Sequence, residues 1–119
     1  MSVAMLGSAG ASSVRAAQTH SVVISDTGTA FDPPAITIKA GDIVEWENTA
    51  IVLHSVTCDP ALAKKAADAA LPAGAAVFDS GKLAADQKFA HRFDQPGTYR
   101  YFCKYHEEMG MLGTVVVVS

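Results

Sequence analysis

The side chains best suited to chemistry lie close together in the run Tyr101-Phe102-Cys103-Lys104-Tyr105-His106-Glu107-Glu108-Met109-Gly110-Met111-Leu112-Gly113. A thiol, an imidazole and two thioethers share this short stretch. A second imidazole, His54, stands far upstream. Thiolate and thioether are soft donors that suit Cu(I), whereas imidazole suits both Cu(I) and Cu(II). One Cys, two His and one Met form the donor set of a trigonal copper site with a weak axial thioether. Such a mixed set fully satisfies neither oxidation state, so a bound copper changes valence with little rearrangement and a low barrier to electron transfer. Zinc fits less well, because Met is a poor zinc ligand. On spacing alone both Met109 and Met111 remain open as the axial donor.

Short strands must hold these donors. His20 to Ser25, Ile36-Thr37-Ile38-Lys39, Ile43-Val44-Glu45-Trp46-Glu47, Ile51 to Thr57, Val77-Phe78, Phe89-Ala90-His91-Arg92-Phe93, Thr98 to Cys103 and Gly113 to Ser119 are β-branched, aromatic or alternating in polarity. Period-two alternation marks half-buried strands. Asp26-Thr27-Gly28, Pro33-Pro34, Ala40-Gly41-Asp42, Asn48-Thr49, Gly81 and Gln95-Pro96-Gly97 separate them as turns. Many short strands between turns predict an antiparallel sandwich or barrel. Cys103 ends one strand and Gly113 opens another, so the ligand-type residues fall on a loop at one end of the sandwich, with His54 in the strand 51–57. Residues 61–71 are rich in Ala, contain Lys and lack β-branching. With Pro60 ahead and Pro72 and Gly74 behind, they predict one short helix.

The chain has 119 residues, 50% of them hydrophobic and 18% charged, which fits one packed domain. Nine Lys and Arg against twelve Asp and Glu give a net charge of −3, with no basic stripe for nucleic acid. The longest aliphatic run, Val115 to Val118, is far short of the roughly 18 residues of a membrane helix. Two cysteines exclude a disulfide-stapled miniprotein. Residues 1–17 are nearly all small, with Arg15 their one charge and no basic start. They read as the remnant of an export signal, with a flexible N-terminal extension as the alternative, leaving 18–119 as the folded domain.

Cys103-x-x-His106 followed by Met111-x-Gly113-x-Val115 resembles the ligand loop of cupredoxins of the plastocyanin, pseudoazurin and amicyanin group. Phe31-x-Pro33, Ile36-x-Ile38, Gly41-Asp42-x-Val44-x-Trp46-x-Asn48, His54-Ser55-Val56 and Gly97-Thr98-Tyr99-x-Tyr101-x-Cys103 follow that family's order. The resemblance implies an all-β Greek-key β-sandwich, one type 1 (blue) copper, and His54, Cys103, His106 and Met111 as its ligands. In that family the axial Met precedes a Gly by two positions, which selects Met111 over Met109. It implies a one-electron carrier rather than an enzyme, monomeric, in the periplasm or otherwise exported. Its partners would be redox proteins such as a cytochrome c, a dehydrogenase or a reductase, with no nucleic acid and no membrane span. A periplasmic copper store or chaperone is the alternative, though Met-rich and His-rich tracts are absent from the sequence.

Two departures from the family stand out. Ser55 replaces the Asn that often ties the ligand loops, and its hydroxyl is expected to donate a hydrogen bond towards the Cys103 loop. Lys104-Tyr105 replaces a pair that often contains Pro, which frees a backbone N–H for the thiolate. An apolar rim of Met111, Leu112 and Pro60 is expected around His106. Glu107 and Glu108 read as solvated loop charges or as a negative rim that steers a partner. Cys58 reads as a buried structural thiol; an intermolecular disulfide and an accessory ligand are the minority readings. His20 and His91 read as edge histidines, Trp46 as core and Tyr99 as a tyrosine corner. Phe102 either packs or lies on an electron path.

Overall fold

The computed structural model describes residues 15–25 and 29–119. The export-signal reading falls largely on residues 1–14 and the turn at Asp26-Thr27-Gly28 wholly on 26–28, so both lie outside the described residues. Among the described residues the chain forms nine strands: β1 Thr19–Ile24, β2 Phe31–Asp32, β3 Ala35–Lys39, β4 Asp42–Asn48, β5 Thr57–Cys58, β6 Phe78–Asp79, β7 Lys88–Phe93, β8 Gly97–Phe102 and β9 Leu112–Val118. One sheet runs β2-β1-β4-β7 and the other β3-β9-β8-β5-β6. Their inner faces share one core, giving the Greek-key β-sandwich.

The sheets are mixed rather than antiparallel throughout. β1 pairs parallel with β4, Val22 opposite Trp46, and β3 pairs parallel with β9, Ile38 opposite Val117. The reason is the corner at Pro33-Pro34. The chain leaves the first sheet after β2, forms β3 in the second, and returns as β4. Two prolines, which lack backbone N–H groups, suit such a corner.

The alternation expected for Ile43 to Glu47 holds in β4, with Val44 and Trp46 buried and Glu45 and Glu47 partly exposed, but the buried face also takes in Asp42 and Asn48, which the sequence placed in turns. Trp46 meets Tyr101 edge-on at 5.3 Å between ring centroids and lies 5.9–6.4 Å from Phe89, Phe78 and Phe93. Burying a side chain of this size dominates the local energetics, and truncating it to Ala costs about 3–5 kcal/mol. The Tyr99 hydroxyl donates to the Gln95 carbonyl at 2.7 Å, which is the expected tyrosine corner. Asp42 closes the end remote from the Cys103 loop. Its carboxylate accepts from the Gln18 and Lys39 backbone N–H groups, the Arg15 guanidinium and the His20 ring.

Two sequence expectations are corrected. Residues 61–71 form no continuous helix. They contain two 3-10 turns, Pro60–Leu62 and Ala66–Asp68, separated by extended backbone at Ala63 and Lys65. The break has a clear cause: the Lys64 and Lys65 N–H groups are taken by the Glu107 carboxylate instead of by helical carbonyls. Beyond the second turn, Ala70 pairs with Arg100 through both backbone groups. Likewise 51–57 is no continuous strand. Only Thr57–Cys58 belongs to the ladder, and His54 makes an isolated bridge to Leu83. The buried Asn48 side chain takes the place of a strand neighbour, donating to the Val52 and Leu83 carbonyls at 2.9 and 2.8 Å.

Candidate metal centre

The ligand-type residues arrive from two places and are clamped by backbone. His54 gives its N–H to Leu83 and takes the Leu83 N–H in return, at 3.1 and 2.8 Å. This pair fixes an otherwise irregular residue. Cys103 leaves the end of β8. From there the loop closes on itself: His106 N–H donates to the Cys103 carbonyl, Met111 N–H to the His106 carbonyl, and Cys103 N–H to the Met111 carbonyl, each at 3.2 Å. Three of the expected ligand residues thus hold one another's backbone. A third 3-10 turn, Glu107–Met109, fills the space between them and ends at Gly110 with φ of 81°, where glycine carries no strain.

Gly113 has a different role. A methyl group on its Cα would overlap the buried Tyr101 ring, so β9 can lie this close to β8 only with glycine. The Gly that follows Met111 by two positions is therefore a packing requirement on this loop.

His54 Nδ1 lies 3.7 Å from Cys103 Sγ, and His106 Nδ1 lies 3.4 Å from it. One donor atom from each of the three residues falls within 4.8 Å of the others. Metal bonds of about 2.0–2.3 Å place donors that share one ion about 3.5–4 Å apart, so the three fit a single ion. Sulfur with two imidazole nitrogens is also a chemically coherent set for copper. His54 and Cys103 are buried, as is Met111, while His106 is partly exposed. Met109 is by contrast largely exposed, with 67% of its surface open to solvent.

The residues around the donors differ from the sequence expectations in several ways. Ser55 does tie the loops, but as an acceptor: the Lys104 N–H donates to its hydroxyl at 2.8 Å. The donor to the thiol sulfur is the Ser55 backbone N–H, at 3.4 Å, and Lys104 gives its N–H to Ser55 instead. Met111 is too deeply buried to belong to a surface rim. The exposed apolar residues on the two ligand segments are Ile51, Val52 and Leu53 before His54, and Tyr105, Met109 and Leu112 around His106.

Glu107 is neither solvated nor part of a rim. It is buried, and its carboxylate accepts the Lys64 and Lys65 backbone N–H groups at 2.9–3.1 Å. Burial pushes its pKa up, but those N–H donors outweigh it and hold the carboxyl below its ordinary value. Glu108 is exposed and pairs with Lys64 at 3.1 Å. Cys58 is a buried free thiol that donates to the Arg100 and Ala70 carbonyls at 3.2 and 3.4 Å, and burial pushes it up to about 12. His91 stacks on Phe78 at 4.1 Å, and His20 bonds Asp42 at 3.0 Å, so both lie away from the donor cluster. Phe102 is fully buried beside Cys103.

Sequence reasoning missed Thr57, Asp79 and Leu83 as supports of the site. Nothing local marks them, because each acts across a strand pairing. Thr57 lies opposite Asp79 on β6 and opposite Phe102 on β8.

The sequence profile described as "Copper binding proteins, plastocyanin/azurin family" matches residues 18–118. A chloroplastic plastocyanin of Tetradesmus obliquus is 38% identical over 87 residues, covering 73% of this chain and 57% of that protein's length. A plastocyanin of Scenedesmus fuscus is 36% identical over 87 residues, covering 73% of this chain and 85% of that protein. Among solved structures, a mutant fern plastocyanin in oxidized and reduced states superposes with a TM-score of 0.64 and 26% identity, covering 82% of this chain and 99% of that one. A purple cupredoxin from Nitrosopumilus maritimus gives a TM-score of 0.67 at 22% identity, over 83% of this chain and 99% of that one, a likeness of fold.

Proposed function

The chain belongs to the plastocyanin/azurin family of copper-binding proteins, and from that premise we propose that it is a one-electron carrier with a single type 1 copper held by His54, Cys103, His106 and Met111. The observation that carries this reading is the approach of two imidazole Nδ1 atoms to one thiol sulfur, at 3.7 and 3.4 Å, on backbone that is already tied. Copper bound there supplies the chemistry by alternating between Cu(I) and Cu(II).

The protein's own contribution is to hold the donors still. The backbone triangle of Cys103, His106 and Met111 and the His54–Leu83 pair fix where each side chain starts. Burial of His54, Cys103 and Met111 keeps water from the donor atoms, and Ser55 N–H steadies the thiolate. His106 is the one donor with an exposed edge. With Ile51, Val52, Leu53 and Met109 exposed on the neighbouring segments, that edge is the contact through which electrons pass to a redox protein. A cytochrome c, a dehydrogenase or a reductase fits this description. A flat apolar contact suits brief encounters. The carrier domain is 18–119, working as a monomer in the periplasm or another exported compartment.

The alternative role, as a store or chaperone, calls for metal that exchanges readily, and three buried donors oppose ready exchange. Cyclic voltammetry of the copper-loaded protein in the presence of a mild chelator tests the choice. A reversible one-electron wave that survives the chelator is expected. Loss of the wave as copper transfers to the chelator overturns the carrier reading.

A further inference from the structure

A closed ring of hydrogen bonds begins and ends on Lys104, the residue after Cys103. Lys104 N–H donates to Ser55 Oγ at 2.8 Å. Ser55 Oγ lies 2.9 Å from Thr57 Oγ1, and Thr57 Oγ1 lies 3.0 Å from Asp79 Oδ1. Asp79 Oδ2 then accepts from Lys104 Nζ at 2.8 Å. Ser55 and Thr57 are fully buried, while Asp79 and Lys104 stand at the edge of solvent.

The direction of the chain follows from the chemistry of its last member. An ionised carboxylate has no hydrogen to give, so the single Thr57 hydroxyl hydrogen goes to Asp79. Ser55 must therefore donate to Thr57, which leaves its lone pairs to the Lys104 N–H. Each bond polarises the next, and the carboxylate sets the polarity of them all. Without it, two buried hydroxyls could each turn either way. The ring also has a rigid mount. Ser80, next to Asp79, exchanges hydrogen bonds with Val56 through its hydroxyl and its backbone N–H, at 2.8 and 2.9 Å. An ion pair as exposed as Asp79–Lys104 contributes only about 0–1 kcal/mol by itself, so the buried chain gives it more consequence than its charges do.

We propose that Asp79 is a positioning residue for the metal centre: through Thr57 and Ser55 it orients the backbone N–H that meets the Cys103 sulfur and locks the segment that follows Cys103. This rests on the copper reading above and assigns the control of its thiolate to a side chain on a different strand.

Full-length Thr57→Val, Asp79→Ala and Lys104→Met variants test it. Thr57→Val cuts the chain and leaves both charges, whereas Lys104→Met removes a charge and leaves the chain. In the metal-free proteins, amide hydrogen exchange of Lys104 is expected to quicken about tenfold in Thr57→Val and Asp79→Ala, a loss of about 1.4 kcal/mol. It should stay within about twofold in Lys104→Met. In the copper-loaded proteins the first two variants should shift the thiolate-to-copper band and lower the reduction potential, because the sulfur loses a well-aimed donor. Unchanged Lys104 exchange and an unshifted band in Thr57→Val and Asp79→Ala overturn the proposal, as does equal quickening in Lys104→Met. A wild-type protein without any thiolate-to-copper band overturns the copper reading itself, and the metal role of Asp79 with it.

Discussion

The Glu107 carboxylate grips the Lys64 backbone N–H with both oxygens, at 2.9 and 3.0 Å, joining the loop that carries His106 to the segment between β5 and β6. A second N–H, from Lys65, reaches one of those oxygens at 3.1 Å. Hydrogen bonds to a charged acceptor contribute about 1.5–3 kcal/mol each, and removing that acceptor leaves two partly buried N–H groups to find water instead. Glu107→Ala is expected to destabilise the metal-free protein by about 2–4 kcal/mol. Urea unfolding monitored by Trp46 fluorescence measures it. A midpoint equal to that of the wild type would contradict the clamp.

The two methionines of the loop should separate sharply. Met111 is buried, with its backbone tied to those of Cys103 and His106, and Met109 is largely exposed. Met111→Ala should alter the copper spectrum and cost about 2–5 kcal/mol of stability. Met109→Ala should leave the spectrum intact and change stability by less than about 0.5 kcal/mol. Absorption spectra and thermal melts of the two variants check this, and the reverse pattern would assign the axial position to Met109.

Asp42 gives the fold a dependence on acid. The Gln18 N–H, then the His20 ring, with the Arg15 guanidinium and Lys39 N–H, hold its carboxyl well below the usual carboxylate range. A group whose folded pKa is depressed contributes stability that is fully present above its unfolded value, about 4, and lost as the pH falls through the folded one. Wild-type protein should therefore exceed Asp42→Asn in stability at neutral pH, and the gap should narrow below about pH 4. Denaturant unfolding of both proteins from pH 7 to pH 2 reads this directly. A gap that widens in acid would contradict the assigned sign.

Cys58 should be inert while the protein is folded. Its thiol is buried, donates to two carbonyls and has its pKa pushed up to about 12. Thiolate is the reactive form, so alkylation at pH 8 should be slow in the native state and fast in urea. The Cys103→Ala variant leaves Cys58 as the sole thiol, and mass spectrometry after iodoacetamide treatment counts the modification. Rapid native labelling would mean that this part of the core opens.

The candidate donors stood out in the sequence because soft donors are rare and three of the four proposed ligands sit on one loop, and the structure brings His54, Cys103 and His106 together. The strands that hold them were legible where both faces matter, as in β4, where the alternation Val44-Glu45-Trp46-Glu47 matches its burial. Legibility failed where one distant side chain replaces regular pairing. Asn48 turns residues 51–56 into an irregular segment, and Glu107 breaks an apparent helix from far along the chain. Nothing in the local sequence distinguishes Glu107 from Glu108. Only the packed loop sends one inward to backbone N–H groups and leaves the other in water. The Asp79 ring was hidden for the same reason, since it depends on the register of β5 against β6.

The central claim is that Cys103 Sγ and the His54 and His106 Nδ1 atoms act together on one copper. It is tested most directly by adding Cu(II) to the metal-free protein and recording visible and EPR spectra, beside a Cys103→Ala control. The account predicts an intense thiolate-to-copper band and a narrow copper hyperfine splitting, both absent from the control. A weak band with ordinary Cu(II) splitting, the same in both proteins, would contradict it.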